Sequence, residues 1–465
     1  MNRGIWTIWA LVMALLAMGA AAGCVGDDDD DDDSGGGGDD DDDDDDDDDV
    51  EGVECENNLC ILTGVISEDY TMKAENEYLL SGGVFIGDDT NETVLTIEPG
   101  TRIYGESSTN GLLVVTRGSK IMAEGTADAP IVFSSSKVDG ERARGDWGGI
   151  IINGRAPINN CLVEDTTEFC ESIGEGGTGK YGGTDAGDSS GVLKYVRVEF
   201  AGNIISPDNE LNGIAFQGVG SGTEVDYVHV HMNKDDGVEF FGGTVNAKHI
   251  IVTGVADDML DWTDGWTGKV QFAVLQQYAD GGDNGFEGDN NGEDNTATPR
   301  SHPTISNVTI IGVPGGEFSD LGMLIREGTA GNFSNIIIDG FAEGCIQIEH
   351  DETFNVAADG ADLSGELTLT NSILHCDTVA VEPAEAADPD FTVADFVNTL
   401  NADNSTDDPM LSDAFNTSSP DFTPSGSSPA LGAGVAPGDS FFDAADFIGG
   451  VGADDWTSWT AYPAS

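Results

Sequence analysis

Between residues 213 and 349 the chain writes one short strand six times: Gly213-Ile-Ala-Phe-Gln217, Gly237-Val-Glu-Phe-Phe241, Met259-Leu-Asp-Trp-Thr263, Gly285-Phe-Glu-Gly-Asp289, Gly322-Met-Leu-Ile-Arg326 and Cys345-Ile-Gln-Ile-Glu349. Most steps are 22 to 26 residues, the length of one coil in a three-sheet solenoid. A unit this small cannot bury its apolar side alone, so successive units must stack. Strand alternation then sends Ile214, Val238, Leu260, Phe286, Met323 and Ile346 inward, with Phe216, Phe240, Trp262, Gly288, Ile325 and Ile348 beside them. The outward positions between these pairs read Ala215, Glu239, Asp261, Glu287, Leu324 and Gln347. The one long step, 37 residues from Glu287 to Leu324, predicts a protruding loop over Asn290–His302.

Outside this stretch the texture is the same. Short β-rich runs such as Val94 to Ile97, Leu112 to Thr116, Ile131 to Ser134 and His249 to Thr253 are separated by glycine, asparagine and aspartate, and no long run carries a 3.6-residue apolar period. The fold expected is all-β: a right-handed parallel β-helix over residues 51–465, one elongated domain with a C-terminal cap. Leu95-Thr-Ile-Glu-Pro-Gly-Thr101, Gly118-Ser-Lys-Ile-Met-Ala-Glu-Gly-Thr-Ala127, Pro130-Ile-Val-Phe133 and Asp146-Trp-Gly-Gly-Ile150 resemble the opening coils of exported β-helix proteins of the pectate-lyase-like superfamily. Ser428-Pro-Ala-Leu-Gly-Ala-Gly434 resembles their closing coil. That superfamily hosts polysaccharide lyases, glycoside hydrolases, adhesins and surface proteins, so the resemblance implies a fold and leaves the activity open.

The first fifty residues concern location. Arg3, the uncharged apolar run Ile5 to Ala22 and the small residues before Cys24 form a secretion signal over 1–23, and the small residues favour cleavage over an uncleaved span. Ala21-Ala22-Gly23-Cys24 resembles the lipobox of bacterial lipoproteins, with Ala21 where leucine is usual. The resemblance implies a diacylated Cys24, and Val25 implies sorting to the outer membrane, which makes that membrane a partner through the lipid. Residues 27–49 contain only aspartate, Ser34 and four glycines, so 24–50 reads as a disordered tether. At about 3.3 Å per residue it reaches on the order of 85 Å. Setting its 18 aspartates aside, the remaining 69 acids face 16 basic residues, which excludes nucleic acid as a partner.

With Cys24 removed, six cysteines fall into local pairs, Cys55 with Cys60, Cys161 with Cys170 and Cys345 with Cys376. An even remainder in an exported chain suggests disulfides. Zinc is the alternative reading, but no C-x-x-C with partner histidines is present.

Chemistry concentrates on the outward column. Three carboxylates, Glu239, Asp261 and Glu287, stacked about 4.8 Å apart must share protons or hold a cation. A second acidic set, Asp235, Asp236, Asp257, Asp258, Asp280 and Asp283, precedes these strands, and Asp264, Asp289, Asn291 and Glu293 add hard oxygen donors of the type Ca²⁺ requires. The metal candidates are Asp236, Glu239, Asp258, Asp261, Asp283, Glu287 and Asp289, set against solvated acidic turns. An enzyme would use Glu239, Asp261 and Asp258 as acid and base, or Arg326 as the base of a lyase with Lys234 and Lys269 behind it. Arg326 can instead neutralise Asp289 and Glu349. Phe241, Trp266 and Tyr278 are candidate sugar platforms or simply packing. Neither Gly-His-Gly nor Arg-Ile-Lys occurs, which speaks against the polygalacturonase branch. His229 and His231 alternate on one strand, as a metal pair or as outward polar decoration. The leading expectation is a surface-anchored binding or structural module with a calcium-binding face and extracellular polysaccharide as a partner; a lyase or hydrolase, or a passive spacer, are the alternatives. The sequence says nothing of oligomeric state.

Overall fold

The computed structural model describes residues 50–460 and 462, apart from 162–168, 204–210, 359–364, 384–390, 401–402 and the side chains of 399–400. The signal segment, Cys24 and the tether lie outside the described residues. Residues 51–465 form one unit, in which 25 strands among the described residues join a single network, all parallel except the antiparallel first strand Val53–Glu56. The chain is therefore a parallel β-helix.

Sheet 1 stacks eleven short strands, among them Leu112–Val115, Gly149–Asn153, Ile214–Gln217, Val238–Phe241, Leu260–Thr263, Phe286–Gly288, Leu321–Ile325 and Gly344–Ile348. Its register is the one the repeat dictates: Ile214 opposes Val238, Phe240 opposes Trp262, and Phe286 opposes Met323. These inward side chains are all buried. Gly288 takes its turn in an otherwise bulky column because the Trp262 indole fills its space: a Cβ there would lie 2.1 Å from the ring.

Sheets 2 and 3 are the two arms of longer strands that bend in the middle. Gly191–Glu199, Glu224–His231, Asn246–Thr253, Lys269–Gln276, Thr304–Ile311 and Gly331–Asp339 each carry one residue of positive φ at the bend: Tyr195, Tyr227, His249, Phe272, Asn307 and Asn335. A left-handed conformation costs an L-residue roughly 1–2 kcal/mol. Stacking offsets it here: ring centroids lie 4.4 Å apart for Tyr195 and Tyr227, 4.2 Å for Tyr227 and His249, and 5.1 Å for His249 and Phe272. Lower down, the column changes to asparagines.

The C-terminal region departs from the expectation of a closing coil. After a parallel bridge from Ile373 to Ser405, the chain turns through the hairpin Leu411–Asp413 and Asp421–Pro424. It then runs back along the bent corner as a strap, from the level of Asn371 to that of Tyr195. Side-chain amides of the solenoid satisfy its backbone. Asn371 donates to Ala433 O (2.8 Å), Asn335 to Val435 O (2.9 Å), Gln271 to Asp443 O (2.8 Å) and Asn307 to Phe447 O (2.8 Å). Trp456 and Trp459 close the upper end edge-on to His249 and Tyr195. The Ser428–Gly434 segment thus lies flat on the corner, with Ala430 packed on Ile337 and Ile373. It continues no sheet because its neighbours offer side chains and no open strand edge.

All three predicted cystine pairs are present. Cys55–Cys60 links the strand Val53–Glu56 to its antiparallel partner, Cys161–Cys170 lies inside an excursion over 154–190, and Cys345–Cys376 joins neighbouring coils across a Cα separation of 5.6 Å.

Candidate metal centre

The outward column of sheet 1 is built as the alternation requires. Ala215 opposes Glu239, Glu239 opposes Asp261, Asp261 opposes Glu287 and Glu287 opposes Leu324, so three acids occupy successive coils between apolar ends. One turn earlier on each coil, a polar residue ties the coils together: Asp236 Oδ1 accepts from the Asp258 amide (2.9 Å), and Asp258 Oδ1 accepts from the Asn284 amide (2.7 Å). These bonds give both aspartates a structural task and aim their remaining oxygens at the column.

Three trios of carboxylates result, each with oxygens within 4.8 Å of one another: Asp236, Glu239 and Asp261; Asp257, Asp258 and Asp283; Asp235, Asp236 and Asp257. Calcium–oxygen bonds run about 2.3–2.6 Å, so oxygens on opposite sides of one ion stand about 5 Å apart. The spacing therefore fits a shared ion. Further donors surround the first trio. Asn212 donates to Glu239 and to Glu175 Oε2, and Asn284 faces Glu287. Asp261 Oδ1, Asn212 Oδ1 and Asn284 Oδ1 are buried and find no hydrogen-bond partner among the described residues. Buried oxygens without donors are costly, and a cation at the first trio would satisfy Asp261 Oδ1; Asn284 stands three coils from Asn212, at the Glu287 end.

Electrostatics point the same way. Burial first, and then the neighbouring carboxylates, push Asp236, Glu239 and Asp261 well above the usual carboxylate range. Burial likewise pushes Asp283 up to about 8 and Glu287 up to about 11. Asp289 rises less, to about 6, because burial there is opposed by the Arg326 guanidinium. Without a positive charge, carboxylates crowded and buried in this way favour their protonated forms.

Other candidates are disposed differently from expectation. Arg326 engages Asp289 through Nε (2.9 and 3.1 Å) and Glu287 through Nη2, where the sequence paired it with Asp289 and Glu349. A fork already filled by two carboxylates is a poor base. Lys269 pairs with Asp439, away from the column. Asp280 lies outside the cluster in a bidentate pair with Arg144 (2.8 and 3.0 Å). The three aromatic candidates share no surface. Trp266 is buried against Phe240, Phe241 packs on Tyr181, and the Tyr278 hydroxyl donates to Thr417 O under the strap. His229 and His231 do point outward, but the strap buries them: His229 meets Thr460 and Thr253, and His231 shares Thr253.

Repeat spacing gave no sign of the excursion over 154–190, which lies beside the column and supplies Glu175 to Asn212. Its Tyr181 hydroxyl donates to Asp264 Oδ2 (2.9 Å), which removes Asp264 from the ligand set. Asn159 donates to Asn290 Oδ1 (2.9 Å) and accepts from Asn291 (3.0 Å). The loop after Glu287 is therefore pinned at its base, and only its tip, including Glu293, stands out as predicted. The Cys161–Cys170 pair was the one signal of the 154–190 excursion in the sequence.

The fold and this face define a class: a parallel β-helix whose first sheet carries a largely buried acidic column on its outer side. The family model of the pectate-lyase-like beta helix domain matches residues 64–416, and the chain belongs to that family. No curated protein and no solved structure matches the chain.

Proposed function

We propose that the chain is a surface-anchored β-helix lipoprotein whose outer acidic column binds Ca²⁺, serving as a binding or structural module that presents this face to extracellular polysaccharide. The observation that carries the reading is the convergence of Asp236, Glu239 and Asp261, with the buried Asp261 Oδ1 lacking a donor among the described residues. A hard, oxygen-only donor set suits calcium over softer metals. The lipobox-like Ala-Ala-Gly-Cys24 and the aspartate tether support the anchor and an outer-membrane location. The competing reading, a surface polysaccharide lyase or hydrolase, draws on the same Glu239, Asp258, Asp261 and Arg326. The burial of Glu239 and Asp258 and the double engagement of Arg326 favour the binding module.

Thermal unfolding with calcium and with excess chelator tests the reading. At a free concentration a hundredfold above Kd, one specific ion adds about 2.7 kcal/mol, and Asp261→Asn should lose most of that increment. An unchanged melting temperature in the native chain refutes the site. Turnover on uronic-acid or neutral polysaccharides that disappears in Glu239→Gln would transfer the case to the enzyme.

A further inference from the structure

The acidic column is not uniform along its length. Asp236, Glu239 and Asp261 draw their oxygens together, and none of them makes an ion pair with a basic side chain among the described residues. One coil further, Glu287 and Asp289 part around the Arg326 guanidinium, which reaches both carboxylates from the following coil. Asp289 and Arg326 sit one residue beyond the paired Gly288 and Ile325, and the Arg326 amide is fixed on Gly288 O (2.9 Å). The fork is thus positioned by the sheet ladder itself. An arginine matches two carboxylates geometrically and stays charged at any pH a protein meets.

We propose that Arg326 is the resident cation of this face: its guanidinium fills the place a second divalent ion would take between Glu287 and Asp289, and so holds the outward column to one ion at Asp236, Glu239 and Asp261. The inference rests on the cation reading above and adds a rule of number to it. Beyond Arg326 the column continues as Leu324 and Gln347, so the acids end where the guanidinium stands. The arrangement gives each half of the column one positive charge, mobile in the first half and covalent in the second. Asp261, a member of the first trio, is stacked directly on Glu287 and so borders the half that Arg326 occupies.

Calcium titration by calorimetry, with bound metal counted after gel filtration, tests the rule on the full chain and on Arg326→Met. The expected result is one more calcium per chain in the variant than in the native protein, the added ion being lost again in Arg326→Met/Asp289→Asn. Equal counts overturn the proposal. A native chain that binds no calcium removes the functional reading above; gain of one ion by Arg326→Met would even then uphold the arginine's role, and no gain would end it. If Arg326→Met fails to fold, Glu287→Gln/Asp289→Asn keeps the guanidinium and strips its partners. The unneutralised charge beside Asp261 should then weaken calcium binding at least tenfold, and an unchanged Kd overturns the proposal.

Discussion

Gly288 stands in a strand whose neighbours on either side of the sheet carry large apolar groups, and it does so because Trp262 leans across from the preceding coil. The indole is buried and anchored by a hydrogen bond from Nε1 to Thr329 Oγ1 (3.1 Å), so it cannot step aside for a methyl group. Gly288→Ala should cost roughly 1–3 kcal/mol through overpacking, measured by denaturant unfolding. Gly438→Ala, where a Cβ meets nothing within 4 Å, should remain within about 0.5 kcal/mol of the native chain. Equal effects at the two positions would refute the packing account. The same reasoning made sheet 1 legible in advance. Alternating residues such as Val238, Glu239 and Phe240 admit one register, since a slip by one would bury the acid and expose both apolar groups.

The bent strands were not legible in this way. Tyr, His and Phe carry no sign of a left-handed conformation, and only stacking with the coils above and below makes Tyr227 or His249 tolerable there. The strap was hidden for a related reason: residues 405–462 repeat nothing, because they read the corner through amides such as Gln271 and Asn307. The strap also sets a pH response. Burial first, then the His231 imidazole and the Arg197 guanidinium, push His229 well below the ordinary histidine value. Thr460, Thr253 and Tyr462 also meet it, with no carboxylate among the contacts of its ring within the described residues. The folded state then binds this proton less readily than the unfolded chain does. The stability involved is whole above about pH 6.5 and drains as pH falls below it. The acids of sheet 1 respond in the opposite sense, since their raised values favour the folded state on acidification, so a local probe is needed. Fluorescence of Trp456 and Trp459 should change on going from pH 7 to pH 5, and His229→Gln should flatten that change. A profile that survives the substitution would place the sensor elsewhere.

At the scale of the whole molecule, stability in a solenoid is a sum over neighbouring coils, each of which touches only the next. The strap breaks that rule by binding coils from Asn371 to Tyr195 with one segment. Trp459→Ala should therefore cost roughly 1–3 kcal/mol and broaden the unfolding transition, because the upper coils lose their link to the lower ones. A chain ending at residue 404 should expose the Tyr195 to Phe272 stack and unfold in more than one step, as followed by calorimetry. A single sharp transition in that truncated chain would refute the coupling role.

Trp459 meets Tyr195 across 264 residues of sequence, so the clasp can close only once the coils between them are in place. Coils stacked without it lack their fastener, so locking waits until both ends of that span are in place.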